Sequence, residues 1–237
     1  MSKFWSSDLE TGYYDKILVK GLKRNRGIQA NWHNITFDRI KKYLLQDKEH
    51  LDYACGSGSL IGLYSSANSI GIDISDKQIE YASNKYGDRG KFYTLEEFES
   101  DNQEEKYDII TVLGLIEFLN QNDNLEVLNK LHKALRPSGT LILTTPNFNT
   151  TMYILDVVIN FFGPVSYKNE HLSKFNERKL RNLIENSNFD QIEIDNFINF
   201  PVFLSFLSIK FGLNLNKIIA KITQKKMGYL LFAKLTK

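Results

Sequence analysis

A cluster of small residues and two acids occupies the first third of the chain. The segment DYACGSGS at residues 52–59 follows an apolar run, and a second apolar run ends at Asp73, fifteen residues after Gly58. The small residues at positions 54, 56 and 58 allow a sharp turn and let backbone N–H groups approach a ligand closely. An acid at the end of the second strand of a doubly wound sheet can accept hydrogen bonds from ribose hydroxyls. These residues predict a site for a ligand that carries a nucleoside.

Two classes of nucleoside ligand use such a turn. A dinucleotide site needs a third glycine for close helix packing, and this chain has Ile61 at that position. Asp52 lies just before the turn, where its carboxylate would repel a pyrophosphate but would suit a ligand with an ammonium and a sulfonium group. The residues therefore disfavour NAD and favour a cationic ligand.

The elements that must position this turn alternate between apolar runs and amphipathic stretches, a pattern typical of a parallel sheet covered by helices. The predicted strands are 49–54, 69–74, 90–93, 107–113 and 140–145, followed later by 191–197 and 228–235. The predicted helices are 57–65, 76–86, 123–135 and 176–187. Residues 1–35, 147–170 and 198–226 fit this pattern poorly, and long segments of this kind usually serve a site.

Composition limits the class of protein further. With 237 residues, 42% of them hydrophobic and 24% charged, the chain can bury a core, and we expect a single domain over residues 1–237. The single cysteine, Cys55, excludes a disulfide framework and a cysteine-based zinc cluster, and it indicates a reducing compartment. Asp8 and Glu10 stand where a secretory signal needs an apolar run. No run of about 18 apolar residues could span a membrane as a helix, so we expect a cytoplasmic protein.

Five segments resemble, in order and spacing, the successive motifs of class I S-adenosylmethionine-dependent methyltransferases. The pattern is nearest to the ubiquinone-biosynthesis O-methyltransferase group. The segments lie within residues 30–195 and read LDYACGSGS, GIDIS, YDIITVLGLIEFL, LHKALRPSGTLILTTPN and EHLSKF. The resemblance implies an α/β fold, namely a Rossmann-like doubly wound seven-stranded sheet with an antiparallel last strand, here with helical cap insertions. It also implies S-adenosyl-L-methionine as the cofactor.

The resemblance further implies where the cofactor would bind. The glycine turn would surround its methionine part, Asp73 would hold its ribose, and residues after later strands would line the remainder. In methyltransferases of this type the N-terminal segment folds over the cofactor, so Trp32 and His33 could close the site and Arg26 could donate to the cofactor carboxylate. Packing of Trp32 on the sheet edge is the alternative. The expected cofactor-binding residues are Arg26, Trp32, Asp52, Ala54, Gly56, Ser57, Gly58, Asp73, Ile74, Leu95 and Leu113.

Two features of the family are missing from this chain. An acid that often follows the third strand, near the adenine, is absent from YTLEE at 93–97, which leaves apolar contacts around Leu95 and the carboxylate of Glu96. The Glu-x-x-Glu-His run that can bind a metal in the ubiquinone group corresponds here to Gly114, Glu117 and Phe118. Only one of the three ligands remains, so we predict no catalytic metal.

Two residues are candidates for acid–base chemistry. Methyl transfer from a sulfonium is an in-line displacement in which the protein mainly aligns donor and acceptor. An alcohol or phenol acceptor must also lose a proton, which a base can help to remove. His171, between the fifth strand and the next helix, is the favoured base, and Glu117, just past the fourth strand, is the second. The simpler alternatives are a histidine that braces its loop and a solvated glutamate at a helix start.

Charge is distributed unevenly along the chain. The net charge is +2, yet residues 196–237 hold seven lysines and no acid, so the first 195 residues carry −5. Residues 197–209 are almost wholly apolar, and a helix predicted over 213–226 would have an apolar face and a lysine face. The apolar face comprises Leu215, Ile218, Ile219 and Ile222, and the lysine face comprises Lys217, Lys221 and Lys225. Three interpretations stay open: a cap that buries its apolar face on the domain or on a partner subunit, contact with an anionic membrane surface, and RNA binding.

We therefore expect a methyltransferase that acts on a small-molecule or lipid-like acceptor, at oxygen. It would carry an N-terminal cap at 1–35, a cap insertion at 147–170 and a basic apolar insertion at 198–226, through which it could touch the inner membrane face. A nucleic-acid methyltransferase is disfavoured, because residues 1–195 are net acidic and lack an Asn-Pro-Pro-Tyr motif for flipped bases. Transfer of another group, such as aminopropyl, and a non-catalytic cofactor-binding module stay open.

Overall fold

The centre of the molecule is a seven-stranded sheet with the order β3-β2-β1-β4-β5-β7-β6. The computed structural model describes residues 9–99, 103–162, 170–223 and 227–237. Strands β1 to β5 run parallel, whereas β7 is antiparallel to both β5 and β6. This confirms the predicted fold class. The strands are β1 Glu49–Tyr53, β2 Asn68–Asp73, β3 Lys91–Thr94, β4 Tyr107–Leu113, β5 Leu135–Pro146, β6 Gln191–Phe197 and β7 Leu230–Thr236.

Helices pack on both faces of this sheet. Ile110 of β4 packs in a cluster with residues of helices α6 and α8, while its neighbour Ile109 packs in a cluster with residues of α2 and α3. Successive strand residues point to opposite faces, so a strand covered on both sides must be apolar at consecutive positions. The helices are α1 Tyr13–Arg24, α2 Ile28–Ile40, α3 Ser59–Tyr64, α4 Asp76–Tyr86, α5 Leu95–Glu99, α6 Gln121–Ala134, α7 Thr150–Phe162, α8 Glu177–Glu185 and α9 Ile209–Ile222.

The predicted boundaries differ from the observed ones where a single residue changes the backbone. Helix α3 begins at Ser59 rather than at residue 57, because Gly58 has a left-handed φ of 75°. Helix α9 begins at Ile209, four residues before the predicted start, because the Ser208 side chain caps it by accepting the N–H of Phe211. Strand β5 begins at Leu135, and its pairing with β4 shifts register before it resumes at residue 140.

Helix α1 is held against the sheet domain by a buried acid that sequence periodicity did not reveal. Asp15 is fully buried and accepts hydrogen bonds from the hydroxyls of Ser59 (2.9 Å), Tyr81 (2.8 Å) and Tyr86 (2.6 Å). It also forms an ion pair with Lys85. A buried carboxylate needs such partners, and here they come from α3 and α4. This cluster places the N-terminal helices above the glycine turn.

Helix α9 faces the protein with a side other than its apolar stripe. Its inward side carries Gly212, which lies against Ser205, and Asn216, whose side chain accepts the N–H of Asn199 (2.6 Å). Ile218 and Ile222, which a cap packed on the domain would bury, are 53% and 70% exposed. The close approach needed at Gly212 and the hydrogen bond of Asn216 set this rotation. Leu215 and Ile219 of the apolar stripe are therefore half-buried, and Ile218 and Ile222 remain open to solvent. Lys225 lies outside the described residues, and no described helix is long and apolar enough to cross a membrane.

Candidate active site

A cavity of about 720 Å³ lies at the carboxyl edge of the parallel strands. Residues at or after the ends of β1, β2, β4 and β5 form its base, and residues of α1, α2 and α7 form its walls. Its volume is in the range usual for small-molecule sites. Most of the predicted site residues line it: Trp32, Asp52, Ala54, Gly56, Ser57, Asp73, Ile74, Leu95, Leu113, Glu117 and His171.

Two predicted residues lie elsewhere. A Cβ at Gly58 would come within 2.7 Å of the Phe92 ring and 2.9 Å of Ala82, so this glycine serves the packing of the turn against β3 and α4. Arg26 is exposed and is not among the residues that line the cavity. Ile61, at the third-glycine position, is fully buried and packs with Phe92 and Ala82. Helix α3 therefore packs on its neighbours through the isoleucine side chain, at the position where a dinucleotide site has a glycine.

The glycine turn and Asp73 form one hydrogen-bonded unit. Ala54, Gly56 and Gly58 have φ values of 66°, 52° and 75°, so the backbone of the turn enters the left-handed region three times. One carboxylate oxygen of Asp73 accepts the N–H of Gly56 (2.9 Å), and the other accepts the N–H of Ser75 (3.0 Å). A non-glycine residue in this conformation is uncommon and often marks a functional site. Asp73 thus fixes the turn and also presents its carboxylate to the cavity.

Asp52 is a second acid beside the turn, and its charge is sensitive to pH. It is buried and accepts the hydroxyl of Thr111 (2.6 Å), which in turn lies 2.9 Å from Nε2 of the buried His50. Burial raises the pKa of Asp52 to about 7, and the negative charge of Asp73 contributes to that rise. Burial lowers the pKa of His50 to about 3, so that imidazole is neutral. The carboxyl group of Asp52 can therefore lose its proton readily when a cation binds beside it.

The family of the chain follows from its match to known sequences. A methyltransferase-domain family model matches residues 26–194, which contain the turn, both acids and strands β1 to β5. The chain belongs to this family of S-adenosylmethionine-dependent methyltransferases. Its cofactor is accordingly S-adenosylmethionine, as the sequence motifs implied.

Three known proteins illustrate the similarity of this methyltransferase to others. The ubiquinone biosynthesis O-methyltransferase of Rickettsia bellii is 27% identical over 207 residues, which are 82% of this chain and 80% of that protein. The enzyme of the same name from Haemophilus ducreyi is 29% identical over 121 residues, and the match spans only half of its length and 47% of this chain. The magnesium protoporphyrin IX methyltransferase of Synechocystis PCC 6803, solved with bound SAH, has a similar fold, with a TM-score of 0.61 and 17% identity over 91% of this chain and 87% of its own.

The cavity of the methyltransferase fits this cofactor. A Cβ built at Gly56 meets no atom within 4 Å, so the backbone of the turn faces open space, as close approach of a ligand requires. Asp52 and Asp73 place two carboxylates beside that space, which suits a ligand with ammonium and sulfonium charges and ribose hydroxyls. Ile74 and Leu95 line the cavity beyond Asp73 and offer apolar contacts for an adenine ring.

Aromatic residues of the N-terminal helices cover the turn. Trp32 lines the cavity, and its ring centroid lies 6.2 Å from that of Tyr229. His33 also lines the cavity and packs 5.4 Å from Tyr14, and burial lowers its pKa to about 4. A neutral imidazole at this position adds no positive charge beside a cationic ligand. Trp32 also packs against the cluster that contains Leu230 and Phe232 of β7, which is the alternative named above. Closure of the site by Trp32 and His33 stays a prediction.

Another part of the cavity wall contains a histidine–aspartate pair that the sequence did not indicate. Nδ1 of His171 lies 3.4 Å from Oδ1 of Asp156, a nearly buried residue of α7. The imidazole stacks on the ring of Phe118, with centroids 5.1 Å apart, and meets Phe148 edge to face. Burial is the main reason that the pKa of His171 is lowered, while Asp156 acts in the opposite direction. A histidine oriented by a carboxylate is a common arrangement for a general base.

Glu117 shares this wall and is buried, so its interpretation as a solvated residue was wrong. It is 3% exposed, and its carboxylate accepts the Thr145 hydroxyl (3.0 Å). Burial raises its pKa to about 7. The backbone N–H of Ser173 donates to the Glu117 carbonyl (2.9 Å), which joins the segment of His171 to the turn after β4. Both predicted acid–base residues therefore line one cavity.

No group of three or more His, Cys, Asp or Glu side chains that could hold a metal ion occurs within residues 9–99, 103–162, 170–223 and 227–237. At the positions of the family's metal-binding run, Gly114 and Phe118 offer no ligating side chain. The expectation that catalysis needs no metal stays a prediction.

The raised pKa of Asp52 leads to a testable pH dependence. We expect the affinity for S-adenosylmethionine to fall by about tenfold from about pH 8 to about pH 6, because Asp52 takes up a proton as the pH falls through about 7 and loses the charge that attracts the ligand. Calorimetric titration across this range should show a much flatter profile for Asp52→Asn. The matched control is Asp47→Asn, an exposed acid before β1, which should behave like the wild type. A flat wild-type profile would contradict this role of Asp52.

Proposed function

We propose that the methyltransferase transfers a methyl group to a hydroxyl oxygen of a small, apolar or lipid-like acceptor. The observation that carries this proposal is the pairing of His171 with Asp156 on the wall of the cavity that contains the glycine turn. A hydroxyl acceptor must lose a proton, and this wall supplies a neutral imidazole for that purpose. The apolar side chains of Phe118, Met152 and Leu155 beside it favour an apolar acceptor over a highly charged one.

Each side of the cavity would have its own task. The turn at 54–57 and Asp73 would hold the cofactor, and Asp52 would match its positive charge. When bound, S-adenosylmethionine supplies a methyl group on a sulfonium, which a nucleophile can take by in-line displacement. The chain would contribute alignment and removal of the hydroxyl proton.

The proton would move to Nε2 of His171. With Nδ1–H directed at Asp156, the neutral imidazole carries its basic lone pair on Nε2. The lowered pKa keeps the imidazole neutral at physiological pH, so it is in the form that accepts a proton. Asp156 would act as a positioning residue that orients the ring and stabilises the imidazolium once formed. Glu117, with its pKa near 7, is the alternative base in the same cavity.

Acceptor chemistry can be tested with matched pairs of substrates. We expect purified protein and methyl-labelled S-adenosylmethionine to methylate alkyl-substituted phenols or catechols, and to leave the corresponding benzylamines unmodified, as detected by mass spectrometry. The reaction should persist in the presence of EDTA. The names of the Rickettsia and Haemophilus relatives, both O-methyltransferases, support oxygen as the acceptor atom. Methylation of the amines alone would reject the proposal, and cofactor binding without turnover of any acceptor would favour a non-catalytic module.

A further inference from the structure

Two segments that lie far apart in the sequence form one continuous surface beside the cavity. The end of α1 meets the start of α9 at Asn25, whose carbonyl accepts the N–H of Ile209 (2.9 Å) and whose side chain bonds to the Ser208 hydroxyl (3.0 Å) and to the N–H of Lys210 (3.1 Å). The N–H of Gly27 donates to the Ser205 carbonyl (2.8 Å). We call the surface formed by residues 20–28 and 206–222 the basic apolar face.

Large apolar side chains are exposed on this face. They lie on the turn before α9 and along its outward side, where the rotation of the helix leaves part of its apolar stripe uncovered. The exposed fractions are 59% for Phe206, 55% for Leu207, 50% for Phe211, 53% for Ile218 and 70% for Ile222.

The charged residues of both segments of this face are all basic. Neither residues 16–37 nor residues 196–237 contain an Asp or Glu. The exposed basic residues on the face are Lys20, Lys23, Arg24, Arg26, Lys210, Lys217 and Lys221. The tertiary structure thus adds the basic end of α1 to the lysine-rich tail.

We propose that the basic apolar face docks on an anionic lipid bilayer. An interfacial helix inserts its apolar side at the level of the headgroups while lysine and arginine stems extend to the phosphates. Charge complementarity favours this partner over a second copy of the chain, because a two-fold interface would place the same basic surface against itself. Ile28 of this face and Phe203, three residues before its second segment, both line the cavity, so an apolar acceptor could pass from the bilayer to the site.

Vesicle flotation tests this assignment without any measurement of turnover. The full chain should float with phosphatidylcholine vesicles that contain phosphatidylglycerol, should float much less with pure phosphatidylcholine vesicles, and should dissociate as salt is added. The double variant Lys23→Glu/Arg24→Glu should bind anionic vesicles at least about 30-fold more weakly, since each basic residue near the surface contributes about fivefold. The variant Ile222→Ser should also weaken binding, because its side chain would no longer insert.

The matched controls lie at the amino ends of the parallel strands, whereas the cavity lies at their carboxyl ends. Lys91→Glu/Lys106→Glu changes two exposed lysines at the starts of β3 and β4, and Leu45→Ser changes an exposed apolar residue before β1. Neither control should affect flotation, and all variants should keep the wild-type melting temperature. The proposal fails if the wild type does not bind anionic vesicles, or if reversal at Lys23 and Arg24 changes nothing. It also fails if sedimentation shows a dimer that Ile222→Ser dissociates, since the face would then join two copies of the chain.

Discussion

Replacing Asp73 with alanine is expected to weaken binding of S-adenosylmethionine by about 100-fold or more. The carboxylate would lose its hydrogen bonds to the ligand ribose, and hydrogen bonds to a charged group are worth about 1.5–3 kcal/mol each. The same carboxylate accepts the N–H groups of Gly56 and Ser75. Its removal would therefore also loosen the turn that faces the ligand. Isothermal titration calorimetry with S-adenosylmethionine and with S-adenosylhomocysteine gives the affinity directly.

Two further variants separate the two roles of Asp73. Asp73→Asn keeps one oxygen acceptor for a backbone N–H but removes the charge, so its affinity should lie between those of wild type and Asp73→Ala. Asp76→Ala removes an exposed acid three residues later, on α4, and should bind like the wild type. Thermal melting without ligand should show that each variant is folded. A folded Asp73→Ala protein that binds within about threefold of wild type would refute the assignment.

Replacing His171 with alanine is expected to lower kcat for the acceptor by about 100- to 10,000-fold, the usual contribution of a general base. Binding of S-adenosylmethionine should change little, because His171 lies on the acceptor wall and not in the glycine turn. His132→Ala is the matched control, since His132 lies on α6 and is not among the residues that line the cavity. Single-turnover rates with a labelled methyl donor measure the effect.

The pH profile identifies which group acts as the base. A base must be deprotonated, so the rate should fall as the pH drops through its pKa. For His171 that fall should come below about 6.5, because burial lowers its pKa from that value. Asp156→Asn should move the fall to still lower pH, since the negative charge of Asp156 raises the pKa of His171. A merely structural role of Asp156 would leave the midpoint unchanged.

Glu117 provides the outcome that would overturn this assignment. Its pKa is about 7, so a rate controlled by Glu117 would fall from about pH 7 downward. If that profile persists in His171→Ala and disappears in Glu117→Gln, Glu117 is the base. Loss of cofactor binding in His171→Ala would instead indicate that the histidine holds the site together.

The strands and the glycine turn could be predicted because their signals are local. The near-continuous apolar run YDIITVL reads as a strand covered on both faces, which β4 is. The fifteen residues between Gly58 and Asp73 are enough for one helix and one parallel strand. The turn and Asp73 therefore lie at the same edge of the sheet. Most of the predicted cofactor-binding residues therefore line the cavity.

Gly58 and Arg26 show where that reasoning stops. A glycine in a turn can face a ligand or face a neighbouring side chain, and only the placement of Phe92 and Ala82 decides for Gly58. An arginine near a site can point in or out. Arg26 lies between α1 and α2, where Asn25 and Gly27 form hydrogen bonds with residues 205–210. These contacts fix the backbone on both sides of Arg26, whose side chain is exposed to solvent.

The sequence by itself determined the fold class, the glycine turn and the uneven distribution of charge. These depend on residue type and on neighbours close in the chain. Only the tertiary structure decided that Asp156 meets His171, that Glu117 is buried, and that the basic end of α1 meets the start of α9. Helical periodicity shows which residues share a side of a helix, but what covers that side depends on distant segments. The pKa of a carboxyl, the orientation of an imidazole and the exposure of an apolar stripe all depend on that covering.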